Sequence, residues 1–145
     1  MAEMQGVASL CHWYGFLSHD RAMEIIRRSD VMLFTSLKEG TPAVVVEAIQ
    51  SGVPVICHDK CGFGTVVTET SGVKIPMKSP CLSSKAFAEA LIRLVRNPEL
   101  LHSLSHGALQ RAKEMTWPNQ ARIMLDCYQK AIEVYFRANE TQGRS

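Results

Sequence analysis

Glu39 and Glu47 stand eight residues apart in the run Glu39-Gly40-Thr41-Pro42-Ala43-Val44-Val45-Val46-Glu47, and the second carboxylate follows directly on apolar residues. A carboxylate in such company either finds hydrogen-bond partners or neutralises, because leaving it charged and unpaired costs several kcal/mol. The flanking residues indicate how the pair is held. Val31-Met32-Leu33-Phe34 reads as a short buried strand, and Thr35-Ser36-Leu37-Lys38-Glu39-Gly40 as the loop that ends it. Thr41 has N-cap chemistry, Pro42 suits the first helical position, and Gly52 stands just past the end, so a helix is expected over 42–51. Val44, Val45, Val46, Ala48 and Ile49 cover most of its circumference, which requires packing on more than one side. Helical side chains lean back toward the N-terminus, so Glu47 is expected to point toward the loop that carries Glu39.

A helix N-terminus offers free amides and the positive end of a dipole, both suited to phosphate, while carboxylates accept hydrogen bonds from sugar hydroxyls. Nucleotide sugars carry both groups. The competing reading makes Glu39 a solvated loop charge and Glu47 a cap on a backbone amide. Cys57-His58-Asp59-Lys60-Cys61 brings thiols and an imidazole close in sequence, but a structural zinc site wants a second paired cluster, and none follows. No metal is therefore expected. His102 and His106 are spaced as on one helix face but lack the glutamate of a metalloprotease motif, and read as exposed helix residues. His58 and Asp59 follow a buried strand, where open α/β sheets bind ligands; a contact to a nucleotide base and a plain loop role both remain open there.

Ordered blocks extend this pattern along nearly the whole chain: Gly15-Phe16-Leu17, Ser29-Asp30-Val31, Ser36 to Pro42, Val46-Glu47-Ala48, Gly52-Val53-Pro54-Val55-Ile56, Cys61-Gly62, Gly72-Val73-Lys74-Ile75-Pro76 and Trp117 before a last helix. In these blocks the chain resembles the C-terminal, donor-binding domain of the family 4 glycosyltransferases, retaining enzymes of the two-Rossmann-domain GT-B fold, also described as glycosyl transferases group 1. The resemblance implies that Glu39 lies near the transferred sugar as the catalytic-site carboxylate. It also implies that Glu47 holds the ribose hydroxyls, and that Gly40, Thr41, Pro42, Ala43 and Val44 face the sugar and diphosphate. Pro42 has no amide to donate, so phosphate contact falls to Thr41, Ala43 or Val44. It further implies front-face transfer of a hexosyl group without a required metal or cofactor. The acceptor, a saccharide or a lipid-linked molecule, would be bound by a separate N-terminal domain. Both carboxylates lie on the donor side rather than across the scissile bond, which argues against a glycosidase-like nucleophile. The basic residues that neutralise the diphosphate in relatives have no matching block; Arg27 and Arg28 read as the solvated end of a helix.

The chain has 145 residues, suited to a single domain with a reasonable core. Charge is nearly balanced at +2, without a basic stripe interleaved with aromatics, so nucleic-acid binding is unsupported. No apolar run approaches a membrane span and no signal-peptide pattern opens the chain, which favours a cytoplasmic setting, peripheral to the membrane only within a longer protein. Five cysteines without a framework spacing read as reduced thiols.

The expected architecture is α/β, a Rossmann-like parallel sheet with flanking helices and a helical C-terminus, in one domain over 1–138 with a frayed tail at 139–145. Strands are expected over 8–14, 31–35, 53–57 and 73–76. Helices are expected over 18–28, 42–51, from Ser84 to the break at Asn97-Pro98, from Leu100 to Met115, and from Pro118 to about Ala138. If the strand order is 3-2-1-4-5-6, the chain begins near the third strand, and the 8–14 strand has lost its neighbour. An open edge invites pairing with a second copy. The last helix carries an apolar stripe, Ile123, Met124, Cys127, Tyr128, Ala131, Ile132 and Tyr135, whose polar side is too mixed for a membrane-surface helix. Two non-catalytic readings stand beside the transferase: a truncated interaction module, and a generic mononucleotide-binding α/β domain.

Overall fold

A computed structural model describes residues 6–40 and 42–142, with side chains described through Arg137. A 3-10 turn at Ala8–Leu10 leads to α1 (His19–Arg27), β1 (Met32–Phe34), α2 (Ala43–Gln50), β2 (Val55–His58), α3 (Cys61–Val66) and β3 (Gly72–Ile75). Three helices follow: α4 (Pro80–Arg96), α5 (Pro98–Glu114) and α6 (Trp117–Gln142). The strands form one three-stranded parallel sheet in the order β1-β2-β3, with Met32 opposite Val55 and Val55 opposite Gly72. Parallel neighbours require a crossover on a face of the sheet, and α2 and α3 supply the two crossovers.

β2 is the centre of the sheet and all four of its residues are buried, as a parallel strand covered on both faces must be. Its side chains alternate between two cores. Val55 and Cys57 join Val45, Ala48 and Ile49 of α2, Phe63 of α3 and Ala108 of α5. Ile56 faces the other way, into Ile75, Phe87, Ala90 and Leu94. The Val-rich helix α2 is thus wedged between the sheet and α5, as its apolar circumference requires, and Ser105 on α5 donates to the Gly52 carbonyl at 2.7 Å. Gly52 has φ +74, and the amides of Gly52 and Val53 return to the carbonyls of Ile49 and Ala48, the two bonds of a Schellman stop.

The expected strand at 8–14 is absent: after the 3-10 turn the segment runs in no regular ladder, with Leu10, Trp13 and Tyr14 exposed. Its apolar and aromatic residues suit a strand, but strand structure needs a hydrogen-bonded neighbour, and among the described residues none lies beside it. The open edge expected at 8–14 instead falls on β1, where Leu33 in mid-strand is 46% exposed. The short helix α3 is an addition to the sequence reading. The C-terminal helices start earlier than the pattern suggests, because Ser79 and Asn97 act as side-chain caps, accepting from the amides of Leu82 and Leu100. α6 extends through Gln142, so residues 139–142 continue the helix and only 143–145 of the expected frayed tail lie outside the described residues. The apolar stripe of α6 is uncovered, with Ile123, Met124, Tyr128, Ile132 and Tyr135 all more than half exposed. No helix among the described residues is long and apolar enough to cross a membrane.

Candidate active site at the carboxyl edge of the sheet

In a parallel sheet every strand-to-helix loop leaves from the same edge, so the loop after β1, the start of α2, the end of β2 and the turn before α4 share one side of the molecule. Glu39 and Gly40 lie in the first of these loops, and both are exposed. Ser36 donates to Glu39 Oε1 at 2.8 Å, which closes the loop on itself and fixes the carboxylate. Thr41, the expected N-cap, lies outside the described residues. Pro42 occupies the position before the first helical residue, in extended backbone at φ −68 and ψ 129, rather than the first helical position assigned to it. A prolyl side chain cannot cap, so the amides of Ala43 and Val44, in the first turn, have no partner within the helix.

Glu47 lies one turn further along, on the stripe shared with Ala43 and Gln50, and is about one-quarter exposed. The apolar company expected for it covers the opposite face of α2. Its partner is on another element: His19, the first residue of α1, is 3.0 Å from Glu47 Oε1 through Nε2. A carboxylate only accepts, so the imidazole nitrogen is the donor. His19 was missed from sequence; the signal for it is Ser18-His19-Asp20, a polar helix start that α1–α2 packing brings beside α2. Ser18 does hold the N-cap position of α1, though through its carbonyl to the Ala22 amide and without a side-chain bond.

Lys74, on β3, is already paired. Lys74 sits between Asp59 at 3.4 Å and Glu69 at 3.5 Å; burial works against its charge, but the hydrogen bonds and fields of the two carboxylates outweigh it and raise its pKa. Arg28 pairs with Glu24 at 3.1 Å at the far end of α1, as a solvated helix end should. Cys57 is fully buried, and burial followed by the field of Asp59 pushes its thiol up to about 11, so it is inert as a nucleophile or ligand. The described residues bring no three His, Cys, Asp or Glu side chains together as a metal site, so the run Cys57 to Cys61 does not converge. All five cysteines are unpaired. His58 is buried beneath Phe87, ring centroids 5.0 Å apart, and its Nδ1 has no hydrogen-bond partner among the described residues. It borders a cavity of about 700 Å³ on the α4 face, lined by Leu33, Thr35, Leu37, Met77 and Phe87 among others, which reaches neither Glu39 nor Glu47.

The sheet thus brings Glu39, Glu47 and the first turn of α2 to one edge, the edge at which open parallel α/β sheets bind ligands. The profile of the family "Glycosyl transferases group 1" matches residues 1–111, and the chain belongs to that family. Among curated relatives, "D-inositol 3-phosphate glycosyltransferase" of Saccharomonospora viridis is 29% identical over 114 residues, covering 78% of this chain and 26% of the relative. The enzyme of the same name from Nocardioides sp. is 34% identical over 97 residues, covering 66% of this chain and 20% of the relative. The chain thus spans about a quarter of the length of the curated relatives it matches. Among solved structures, sucrose-phosphate synthase from Thermosynechococcus elongatus superposes with a TM-score of 0.74 at 21% identity, over 92% of this chain and 33% of that one. The C-terminal domain of a glycosyl transferase group 1 family protein from Francisella tularensis gives 0.68 at 19% identity, over 79% of this chain and 57% of that one. These likenesses establish the GT-B type of α/β fold.

Proposed function

We propose that this chain is the donor-binding part of a retaining family 4 glycosyltransferase, the C-terminal half of a GT-B enzyme, and that it holds a nucleoside diphosphate sugar at the start of α2. The observation that carries the reading is Glu47, a part-exposed carboxylate held by His19 at one oxygen, one turn inside a helix whose first amides have no partner within the helix. In this reading Glu47 accepts from the ribose hydroxyls, Glu39 stands by the sugar hydroxyls, and Gly40 through Val44 border the diphosphate. As the bond from the anomeric carbon to the diphosphate breaks and an acceptor hydroxyl takes its place on the same face, negative charge grows on the leaving phosphate. The amides of Ala43 and Val44 and the α2 dipole face that charge, and this is the help such a site gives without a metal or cofactor. In the same reading the remaining counter-charge and the saccharide or lipid-linked acceptor are assigned to a second domain, and the isolated chain to binding without transfer. The reduced cysteines fit a cytoplasmic setting.

One solved relative, the pneumococcal O-GlcNAc transferase with a TM-score of 0.71, is described in complex with UDP and GlcNAc, which makes UDP the first nucleotide to try. Calorimetric titration with UDP, GDP and ADP should give saturable binding by at least one, lost in Glu47→Ala. Silence from all three at millimolar concentration would defeat the proposal for this chain.

A second reading is favoured by the open β1 edge and the uncovered α6 stripe: the chain associates with another copy through one or both. Light scattering behind gel filtration should then report a dimer or larger, and a monomer at all concentrations would exclude it.

A further inference from the structure

We propose that His19 is a positioning residue for Glu47, holding its carboxylate in the orientation that meets a ribose 2′-hydroxyl; the inference rests on the donor-binding reading above. His19 Nε2 lies 3.0 Å from Glu47 Oε1, and the two residues come from different helices, so the geometry is set by the docking of α1 on α2. The docking itself is apolar: Ile26 of α1 packs against the core that contains Val45, Ala48 and Ile49. At the other ring nitrogen Asp20 stands 3.9 Å from Nδ1, too far for a hydrogen bond, so the imidazole is oriented by Glu47 and not by its neighbour.

Stability does not account for the contact. His19 is 70% exposed, and an exposed ion pair contributes little to folding. What the contact does supply is order at a ligand-facing oxygen. A glutamate side chain loses considerable rotamer freedom when it binds, and a carboxylate already held at Oε1 presents Oε2 in a fixed direction before the ligand arrives. The Cα–Cβ bonds of a helix tilt toward its N-terminus, so Glu47 leans toward the amides of Ala43 and Val44, where phosphate is expected. A carboxylate for a hydroxyl and amides for a phosphate, about one helical turn apart, describe a ribonucleotide rather than a free sugar or a lone phosphate. His19 therefore contributes to the choice of ribose over 2′-deoxyribose without itself touching the ligand.

The test compares UDP with 2′-deoxy-UDP on the 145-residue chain by calorimetry. The parent should prefer UDP by roughly tenfold or more, as for a hydrogen bond to a charged acceptor. His19→Ala should cut that preference to within about threefold, and His19→Gln, whose side-chain amide can donate to the same oxygen, should restore part of it. Melting temperatures of both variants should stay near the parent. An independent readout needs no ligand: the imidazole nitrogen resonances of His19 should move when Glu47→Gln is introduced. Equal loss of affinity for both nucleotides in His19→Ala, or no loss for either, overturns the positioning role, as do unmoved His19 resonances. If the His19 resonances move but the parent binds no nucleoside diphosphate, the contact is real and it is the donor-binding reading that fails, taking the assigned role with it.

Discussion

Gly107→Ala sets two effects of opposite sign against each other on the helix that supports α2. In an exposed helix interior the change gains about 1 kcal/mol, because glycine has the poorer helix propensity. Gly107 is not in such a place. A Cβ added there falls 1.8 Å from the Thr70 carbonyl oxygen and 2.7 Å from the carbonyl carbon, so roughly 1.5 Å of separation must be gained from backbone that cannot rotate away. Overpacking of this kind costs about 1–3 kcal/mol. Retreat of α5 would add to that, since Ala108 is fully buried beside Val45 and Ala48, and Ser105 would lose its bond to the Gly52 carbonyl. The close contact should win, leaving the variant about 2 kcal/mol less stable. With a urea m-value of about 1–3 kcal/mol/M, the midpoint in a denaturation curve followed by far-ultraviolet circular dichroism should fall by about 1 M. Ser103→Ala, exposed on the same helix, serves as the control and should gain a few tenths of a kcal/mol. A Gly107→Ala midpoint equal to or above the parent would show that α5 does not approach the turn before β3 this closely, and the support assigned to α2 would go with it.

Two backbone positions predict opposite outcomes for related changes. Gly52 has φ +74, and a Cβ there would stand 3.1 Å from the Leu109 side chain, so Gly52→Ala should destabilise by about 1–2 kcal/mol; a neutral result would refute the helix stop. Cys61 holds φ +57 without being glycine, so Cys61→Gly should be neutral to stabilising by up to about 1 kcal/mol, and a clear loss of stability would contradict that geometry. Cys57 gives a pH prediction. Its thiol has a pKa raised from 9.0 to about 11, so the folded state keeps a proton that the unfolded state releases, and stability should fall by roughly 2–3 kcal/mol between about pH 9 and 11. Lys74, also raised, loses its contribution in the same direction as pH climbs through its folded pKa. Cys57→Ala should flatten the part of the slope owed to the thiol, and at pH 8 a thiol reagent should label Cys11, Cys61, Cys81 and Cys127 quickly and Cys57 only on unfolding. Rapid labelling of all five in the native state would exclude the burial of Cys57.

Much of the fold is readable in the residues because it is local. The run Val44 to Ile49 bounded by Pro42 and Gly52 specifies a buried helix with a glycine stop, and Val55-Ile56-Cys57 between turns specifies a central strand. What is not readable depends on distant partners. The segment 8–14 has the apolar and aromatic composition of a strand, yet no neighbour completes its ladder among the described residues, so composition alone misleads. α3 is hidden by Gly62 and Gly64, which lower helix propensity; Gly64 is tolerated where the chain passes close to Asp59, whose backbone would lie 3.2 Å from an added Cβ. In the site, Glu47 stands out in the sequence as a charge in an apolar run, but that it shares an exposed stripe of α2, and that its partner is His19, 28 residues earlier in the chain, are properties of how α2 and α1 pack.

Binding of a nucleotide at the start of α2, as proposed, can be located directly. Amide resonances of the isotope-labelled chain, followed during titration with UDP or GDP, locate the bound ligand without requiring transfer. The largest shifts should fall on Gly40, Ala43, Val44, Glu47 and the start of α1 at His19, and should vanish in Glu47→Ala. Shifts confined to the cavity beside His58 and Phe87, or none at saturating nucleotide, would contradict it.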